Sequence, residues 1–307
     1  MNINFNIGSS ETTREASCIK DIARTVIVKQ FTFTNFSEKQ PEHKKNFSSS
    51  FLQWFIGFSE GNECFYAPII GNRERLCFEI AQKDAKLIYK IRTTLGFGKV
   101  ISFTRNNETY WKYCVKDKKG LERIMLLFNG NLVLPKRYAQ FVKWITSGQY
   151  ILPKDFILKM QCVEVSLKTG WLSGFIEAQG CFYASFKSNI ENSIIRDFNQ
   201  TLIITQKDTC GESVILKQIS TLFQETDTLH IARQPNYFRV SFSSLRSQTK
   251  IVSYINQFPL LGKKHITFHR WWRIYLRRQT SNTKPLSLKE EKRLRKLCSE
   301  INKTTNM

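Results

Sequence analysis

The spacing of apolar residues predicts helices that alternate with pairs of strands along most of the chain. Apolar side chains recur at helical spacing over residues 51–62 and again over residues 167–179, so each segment is predicted to form a helix. The first helix is followed by residues 64–70 and 75–82, where apolar and polar positions alternate as in half-buried strands. Gly71-Asn72 between them is typical of a tight turn, so the pair is predicted to form a β-hairpin.

A second helix, a second hairpin and a third helix continue the pattern. Residues 84–95 show helical spacing and are followed by Gly96, a residue that favours the end of a helix. The polar stretch 105–108 predicts the turn of the next hairpin, and residues 121–128 predict the helix after it. In the later half of the chain, the corresponding hairpin is predicted to turn at residues 234–236.

The sequence itself repeats together with this pattern. Residues 52–67 (LQWFIGFSEGNECFYA) match the segment within residues 170–185 (GWLSGFIEAQGCFYAS). Trp54 pairs with Trp171 and Gly57 with Gly174, an offset of 117 residues. Further along, the tripeptide Gln-Lys-Asp stands at residues 82–84 and again at residues 206–208. Because the order and the approximate spacing are both kept, the chain is predicted to contain two copies of one unit.

We therefore expect an α+β fold made of two pseudo-symmetric αββαββα repeats in a single chain. The expected boundaries are an N-terminal extension at 1–48, a first repeat at 49–146, a linker at 147–163, a second repeat at 164–279 and a basic C-terminal tail at 280–307. The extension and the tail are polar and charged, so both are expected to be peripheral or to be ordered only by a partner.

The charge of the chain narrows the choice of partner. It carries 47 Lys and Arg residues against 25 Asp and Glu residues, a formal net charge of +22. Such an excess repels itself unless a polyanion neutralises it, so nucleic acid is the expected partner. No apolar run approaches the ~20 residues that span a bilayer, and a membrane is not expected as a partner beyond peripheral attachment.

Cysteine and histidine usage predicts no metal site. The eight cysteines include no CxxC pair, which favours free thiols in a reducing compartment. His265 and His269 stand at i, i+4 spacing, but the sequence around them offers no acidic or cysteine residue to complete a metal site. Both are expected to be ordinary helix residues.

Residues 55–63 (FIGFSEGNE) and 172–180 (LSGFIEAQG) resemble the nine-residue motif of the LAGLIDADG homing endonucleases and maturases, in the form that carries two motifs in one chain. The resemblance implies a monomer with an internal pseudo-twofold axis, along which the two motif helices pack against each other. It also implies two antiparallel sheets that form a saddle over nucleic acid.

Small residues on both motif helices favour such close packing. Gly57 and Gly61, like Gly174 and Ala178, are four residues apart and share one helix face. A partner backbone can approach closely where side chains are this small. These four residues are therefore expected to form the interface between the two helices.

The resemblance also locates an altered cleavage centre. Active members of the family hold divalent metal with one carboxylate from the eighth position of each motif, and metal is what activates the attacking water. In this chain the eighth positions are Asn62 and Gln179, near-isosteric amides that lack both negative charges. We therefore expect no cofactor and no metal, with Mg²⁺ required only if the chain is an active endonuclease.

Neighbouring acidic residues are not expected to replace the missing carboxylates. Glu63 stands one helical step from the eighth position, a rotation of about 100°, and Glu60 and Glu177 stand two steps back. Four other residues match the outer shell of the family's catalytic site: Gln82, Gln206, Arg137 and Lys264.

Basic residues on the strands and on one late helix are the candidates for nucleic-acid contacts. Those on or near predicted strands are Arg105, Lys112, Lys187, Arg233 and Arg239. Those in the late basic segment are Lys263, Lys264, Arg270, Arg273, Arg277 and Arg278. In this segment, Arg270, Arg273 and Arg277 form a stripe on one side of a helix, which favours a phosphate-binding helix over a merely soluble face.

Three explanations of the altered centre follow. An endonuclease for a specific double-strand DNA site could have been inactivated by engineering, or it could retain weak cleavage. The favoured interpretation is a protein without nuclease activity that binds folded RNA, because RNA recognition needs shape and phosphate contacts and no metal. Its expected place is a mitochondrial ribonucleoprotein, preferably a ribosome-like particle with ribosomal proteins as further partners, and next a group I intron complex.

Overall fold

The computed structural model describes residues 26–28, 30–44, 47–62, 64–147, 152–153, 155–188, 195–225, 229–231, 236–281 and 287–301. Within these ranges the chain forms two repeats, each with one motif helix and one antiparallel four-stranded sheet. The predicted α+β fold with paired LAGLIDADG helices is confirmed.

The first repeat follows a strand, β1 (Val26–Val28), and a short helix, α1 (Thr34–Glu38). Its elements in chain order are α2 (Ser49–Gly61), β2 (Phe65–Tyr66), β3 (Ile69–Ile70), β4 (Arg73–Glu74), β5 (Cys77–Gln82), α3 (Ala85–Leu95), β6 (Lys99–Arg105), β7 (Glu108–Val115), α4 (Lys118–Phe128) and α5 (Pro135–Thr146).

The second repeat follows strand β8 (Gln161–Val163). Its elements are α6 (Trp171–Gln179), β9 (Gly180–Ser188), β10 (Ile195–Lys207), α7 (Glu212–Leu222), β11 (Leu229–Ile231), β12 (Tyr237–Phe242), α8 (Leu245–Gln257) and α9 (Lys264–Ser281), and helix α10 (Leu288–Glu300) follows them. Among the described helices, none combines the length and the apolar character that crossing a membrane requires.

The two sheets share one strand order. The first sheet runs β2-β5-β7-β6 and the second runs β9-β10-β12-β11, so each places its strands first, second, fourth and third along the chain. All of these pairs are antiparallel. The internal repeat seen in the sequence is thus a repeat of topology.

Local sequence signals set the ends of several elements. Asp84 caps α3 by accepting the Leu87 N–H at 3.2 Å, and Gly96 ends that helix with a left-handed φ of 76°. Asn106 and Asn107 both adopt left-handed φ angles, 51° and 58°, as a two-residue turn between β6 and β7 requires. The predicted turn at residues 105–108 therefore lies where its asparagines indicated.

Other boundaries differ from the predicted ones. The second motif helix begins at Trp171 and not at residue 167, because the Ser166 hydroxyl accepts the Lys168 N–H in a turn that precedes the helix. The strand predicted over residues 64–70 is split around Pro68, whose nitrogen has no proton to give to a sheet. Helix α5 is an addition to the expected pattern. The turn predicted at 234–236 lies outside the described residues except for its last position.

The described parts of the predicted extension and tail, from residue 26 and up to residue 301, pack onto the repeats, so these parts are not peripheral as expected. Strand β1 pairs in parallel with β8, where Val28 lies opposite Val163, and Phe36 of α1 is fully buried. At the other end, α10 packs against α9 and β9 and buries Leu294, followed by buried Ile301. The apolar residues within these polar segments supply the contacts.

Six cysteines are free thiols, as expected: Cys64, Cys77, Cys114, Cys162, Cys181 and Cys298. Cys210 departs from that expectation because it is disulfide-bonded.

The motif helices α2 and α6 pack backbone against backbone. A Cβ atom added to Gly57 would lie 1.9 Å from the main-chain oxygen of Trp171, and one added to Gly174 would lie 1.8 Å from that of Trp54. One turn further on, a Cβ on Gly61 would lie 2.3 Å from the Cβ of Ala178. The glycines therefore allow an approach that any side chain would prevent.

Replacing Gly57 or Gly174 by alanine tests this contact. In an ordinary helix such a change stabilises by about 1 kcal/mol. Here the added methyl group overlaps a main-chain oxygen, so we expect a loss of about 3 kcal/mol in the free energy of unfolding, measured by urea denaturation followed by circular dichroism.

Gly71→Ala is the matched control for these variants. No atom lies within 4 Å of a Cβ built on Gly71, but its φ of 65° strains an L-residue, so we expect a loss of about 1 kcal/mol. A Gly57→Ala loss no larger than the Gly71→Ala loss would contradict the backbone contact.

Candidate nucleic-acid interface

The amides at the eighth motif positions meet at the ends of the two motif helices. Asn62 ends α2, where its Nδ2 donates to the main-chain oxygen of Phe58 at 2.6 Å and its Oδ1 accepts from Gln82 Nε2 at 2.9 Å. Gln179 reaches across the helix pair and donates from Nε2 to the main-chain oxygen of Gly61. Each amide thus donates a hydrogen bond to a main-chain carbonyl oxygen, which an ionised carboxylate cannot do.

The acidic residue of the first motif helix faces the protein interior. The Glu60 carboxylate accepts the N–H groups of Val133, at 3.0 Å, and Leu134, at 2.7 Å. It also accepts the indole N–H of Trp171 from the other motif helix. Burial raises the pKa of Glu60 to about 7, although these hydrogen bonds act in the opposite direction.

Glu177 occupies the equivalent position on the second motif helix. Its carboxylate accepts the N–H groups of Leu261 and Gly262 at 2.8 and 3.1 Å, and burial raises its pKa above the usual value. Both motif glutamates therefore bind the loop that precedes the last helix of their own repeat, α5 for Glu60 and α9 for Glu177. Each glutamate fixes the position of that helix relative to its motif helix.

Arg137 and Lys264 hold the same helix ends from those last helices. The Arg137 Nε donates to the main-chain oxygen of Glu60 at 2.7 Å, and the Lys264 Nζ donates to that of Ile176 at 3.1 Å. Cationic side chains stabilise helix C-termini because the last carbonyl groups carry partial negative charge. The structure brings both residues to the motif helices, as the family resemblance implied.

Each repeat also fixes the first turn of a helix in the other repeat. The Asp84 carboxylate accepts the Lys263 N–H at 2.8 Å, and the buried Glu212 carboxylate accepts the Lys136 N–H at 3.0 Å. These reciprocal bonds position the residues that follow, Lys264 and Arg137. Gln206, by contrast, lies buried on β10 opposite Phe238.

The side chains at the helix ends do not fit a divalent metal. Mg²⁺ is gripped by carboxylates together with phosphate oxygens. Asn62 and Gln179 present neutral amides that each donate one N–H to a main-chain carbonyl, and the carboxylates of Glu60 and Glu177 accept main-chain N–H groups. Glu63 lies outside the described residues.

The outer face of the first sheet, on the side away from the helices, is a candidate surface for a partner. Phe78, Ile80 and Tyr113 are fully buried on the inner face, so alternation places their neighbours outside. By register, the outer residues are Tyr66, Cys77, Glu79, Ala81, Lys99, Ile101, Phe103, Arg105, Glu108, Tyr110, Lys112 and Cys114. Arg105 and Lys112, predicted as contacts, are thus on one face.

Aromatic residues on this face were missed in the sequence. The rings of Phe103 and Tyr110 stack with centroids 5.6 Å apart, and Phe103 is 37% exposed. The Lys112 Nζ lies 5.9 Å from the centre of the Phe103 ring. Exposed aromatic rings beside basic groups are the usual platforms for unstacked bases. Strand alternation with Arg105 would have placed Phe103 on this face.

The second sheet presents a similar outer face. Arg239 is exposed there opposite Thr205, near Lys207 and Tyr237, and Tyr183 is 42% exposed on β9. Nucleic-acid binding by Arg105, Lys112 and Arg239 stays a prediction, as it does for the other two predicted residues of the strands. Lys187 lies on β9 with a side chain that the structure does not describe, and Arg233 lies outside the described residues.

The basic stripe of α9 lies on the other side of the second sheet. Trp271 packs from α9 onto the inner face of that sheet, whereas Arg270 donates to a main-chain carbonyl at the end of α10. Arg277 forms an ion pair with Glu290 of α10 at 3.4 Å. Phosphate binding by this stripe stays a prediction. Of the remaining basic residues, Lys263 and Arg273 are exposed and Arg278 donates to the main-chain oxygen of Ser243.

Comparison with known proteins agrees with this arrangement. A family model described as LAGLIDADG endonuclease matches residues 55–147 and 172–275, which correspond to the two repeats. The chain belongs to this family.

Similar curated proteins are named for introns. The chain is 31% identical over 229 residues to the probable intron-encoded endonuclease 4 of Neurospora crassa, covering 74% of this chain and 40% of that protein. It is 25% identical over 288 residues to the probable intron-encoded endonuclease Cox1-I1b of Schizosaccharomyces pombe, covering 80% and 72%. A third relative, the intron-encoded RNA maturase bI4 of Saccharomyces cerevisiae, is 23% identical over 207 residues, covering 66% and 30%. The chain thus spans less than half the length of the first and the third.

Similar solved structures are meganucleases. I-SmaMI, bound to uncleaved DNA target in the presence of calcium ions, superposes with a TM-score of 0.61 at 16% identity, covering 82% of this chain and 99% of that one. The meganuclease I-AabMI, bound to uncleaved DNA, gives the same TM-score and the same coverage at 19% identity. At such identities the likeness shows the fold.

Glu60→Gln tests the buried carboxyl by removing its titration while keeping its shape. Because the pKa of Glu60 is raised from 4.5 to about 7, the folded chain holds a proton that the unfolded chain releases between these values. The stability that Glu60 contributes is therefore complete below pH 4.5 and is lost as the pH rises through about 7.

We expect the native chain to lose about 3 kcal/mol more than Glu60→Gln across this pH window, since one pKa unit corresponds to about 1.4 kcal/mol. Urea denaturation of both proteins at a series of pH values measures the difference. Parallel stability curves for the two proteins would show that Glu60 does not titrate in this range.

Proposed function

We propose that this chain binds folded RNA through the outer faces of its two sheets and does not cut nucleic acid. The observation that carries the proposal is the pair of amides at the motif-helix ends. Asn62 and Gln179 each donate an N–H to a main-chain carbonyl, so hydrogen bonds occupy the place where a nuclease needs negative charge for metal. Binding can persist without that charge, whereas metal-assisted cleavage cannot.

Three features support RNA as the bound nucleic acid. The net charge of +22 calls for a polyanion. Exposed Phe103 and half-buried Tyr110 lie beside Lys112 and Lys83 on the first sheet, and exposed Tyr183 lies on the outer face of the second. Folded RNA offers unstacked bases to such rings and a wide, shallow minor groove to a curved surface. One relative of the chain is named as an RNA maturase.

Intron RNA is the preferred target within this proposal. The sequence favoured a ribosome-like particle, but the similar proteins bear names that refer to introns, and two of them name cox1. These names also support a mitochondrial location. A ribosomal role, with ribosomal proteins as partners, is the second choice for the RNA.

A DNA endonuclease is the competing function. The similar solved structures I-SmaMI and I-AabMI hold DNA, and Gln82, Arg137 and Lys264, which match the outer shell implied by the family resemblance, contact the motif helices in this chain. If the chain is an endonuclease, it requires Mg²⁺, and purified protein cuts DNA weakly because amides replace the two carboxylates.

We expect the purified chain to leave bound duplex DNA uncut in Mg²⁺, when the duplexes are selected from a random pool by binding. Asn62→Asp combined with Gln179→Glu should introduce a divalent-metal site, detected by calorimetry with Mn²⁺, because two carboxylates then converge at the helix ends. Cleavage by the native chain would contradict this proposal and favour the DNA endonuclease as the function.

Asn106→Asp combined with Gln257→Glu is the charge-matched control, since it adds the same two charges at exposed positions. It should bind no Mn²⁺. If the variant with carboxylates at positions 62 and 179 also binds no Mn²⁺, the helix ends lack the geometry of a metal site as well as its charge.

Crosslinking in cells followed by sequencing should recover intron RNA with the native chain. Arg105→Ala combined with Arg239→Ala should reduce this recovery and flatten the salt dependence of RNA binding by about two units, one for each lost phosphate contact. Arg273→Ala combined with Arg277→Ala is the matched control and should change neither. Recovery of DNA alone would contradict the proposal, and a flattened slope only in the control would move the interface to α9.

A further inference from the structure

Two buried thiols and a half-buried carboxylate converge on the side of the first sheet that faces away from the helices. The Sγ atoms of Cys77 and Cys114 lie 3.7 Å apart, and the Oε1 atom of Glu79 lies 3.1 Å from the first and 3.4 Å from the second. Strand pairing creates this group, because Glu79 lies opposite Cys114 and Cys77 stands two residues away on the same face of β5. In the part of the chain that the structure describes, no other three potential ligands of this kind come so close.

The spacing of these atoms matches the edges of a tetrahedral zinc site. With Zn–S bonds of about 2.3 Å and a Zn–O bond of about 2.1 Å, tetrahedral angles place two sulfurs about 3.8 Å apart and sulfur and oxygen about 3.6 Å apart. The observed sulfur separation of 3.7 Å agrees, and the two sulfur–oxygen distances are shorter by a few tenths of an ångström. A small outward shift of the Glu79 carboxylate would seat the ion.

The charges around the group are also suited to a divalent cation. Lys112 Nζ donates to Oε2 of Glu79 at 2.7 Å, and Oε1 faces the thiols with Lys116 Nζ 3.5 Å away. Two thiolates, one carboxylate and Zn²⁺ carry a net charge of −1, and the ammonium groups of Lys112 and Lys116 lie beside it to offset that charge. A hydrogen bond to the outer oxygen of a ligating carboxylate is the usual way to orient it.

We propose that Cys77, Glu79 and Cys114 bind zinc on the nucleic-acid face of the first sheet. Thiolate ligands select zinc over Mg²⁺ or Ca²⁺. The three protein ligands leave a fourth position for water, and the ion ties β5 to β7 beside the Phe103–Tyr110 stack. This site is separate from the motif-helix ends and does not depend on which nucleic acid the chain binds.

Titration of the reduced full-length chain with Co²⁺ tests the proposal, because cobalt reports thiolate ligation by a charge-transfer band in the near ultraviolet. We expect one equivalent of Co²⁺ to produce the band and Zn²⁺ to abolish it. Cys77→Ser and Cys114→Ser should each remove it, whereas Cys181→Ser, at an exposed free thiol of the second sheet, should leave it unchanged.

Lys112→Met provides a test that spares the ligands. We expect it to weaken zinc binding by about 10- to 100-fold, as the loss of an outer hydrogen bond to a ligand does. Circular dichroism of each variant establishes that it is folded. Absence of the band in the native chain, its survival in Cys77→Ser, or a Cys77–Cys114 disulfide in protein whose thiols were alkylated at lysis would each overturn the proposal.

Discussion

The main-chain contact between the two motif helices is the constraint on which the rest of the structure depends. At Gly57 and Gly174 the backbone of each helix occupies the space that a Cβ atom of the other would need. Helices this close must end together, which brings Asn62 and Gln179 to one place. They also set the two sheets side by side, since each sheet packs on its own motif helix. The close approach at Gly57 and Gly174 thus determines where the two motif helices end and where the outer faces of the two sheets lie.

The same contact creates an electrostatic problem at the helix ends. Two helix C-termini meet there, and each presents carbonyl oxygens with partial negative charge. Carboxylates at the eighth positions would add to that charge and would require a metal ion to balance it. The amides of this chain carry no charge and donate hydrogen bonds to the main-chain oxygens of Phe58 and Gly61. Arg137 and Lys264 supply the remaining positive charge.

The outer faces of the sheets stand apart from this problem. Each strand sends alternate residues inward to the core and outward to solvent, so residues far apart in the sequence share a surface. On the first sheet this places Arg105, Phe103 and Lys112 on the same face as the buried thiols of Cys77 and Cys114. A surface for nucleic acid and a site for zinc can then adjoin, because neither uses the motif-helix ends.

The sequence by itself determined the repeated unit, the glycine face of the motif helices, the Asn106-Asn107 turn and the exchange of acids for amides. All of these are patterns within a few residues, where spacing and residue type carry the information. Only the tertiary structure decided that α10 binds Arg270 and Arg277 of the stripe on α9, that Phe36 belongs to the core, and that Cys77 meets Cys114 from 37 residues away. Such contacts depend on strand register and on which face another element covers, and no local pattern specifies either.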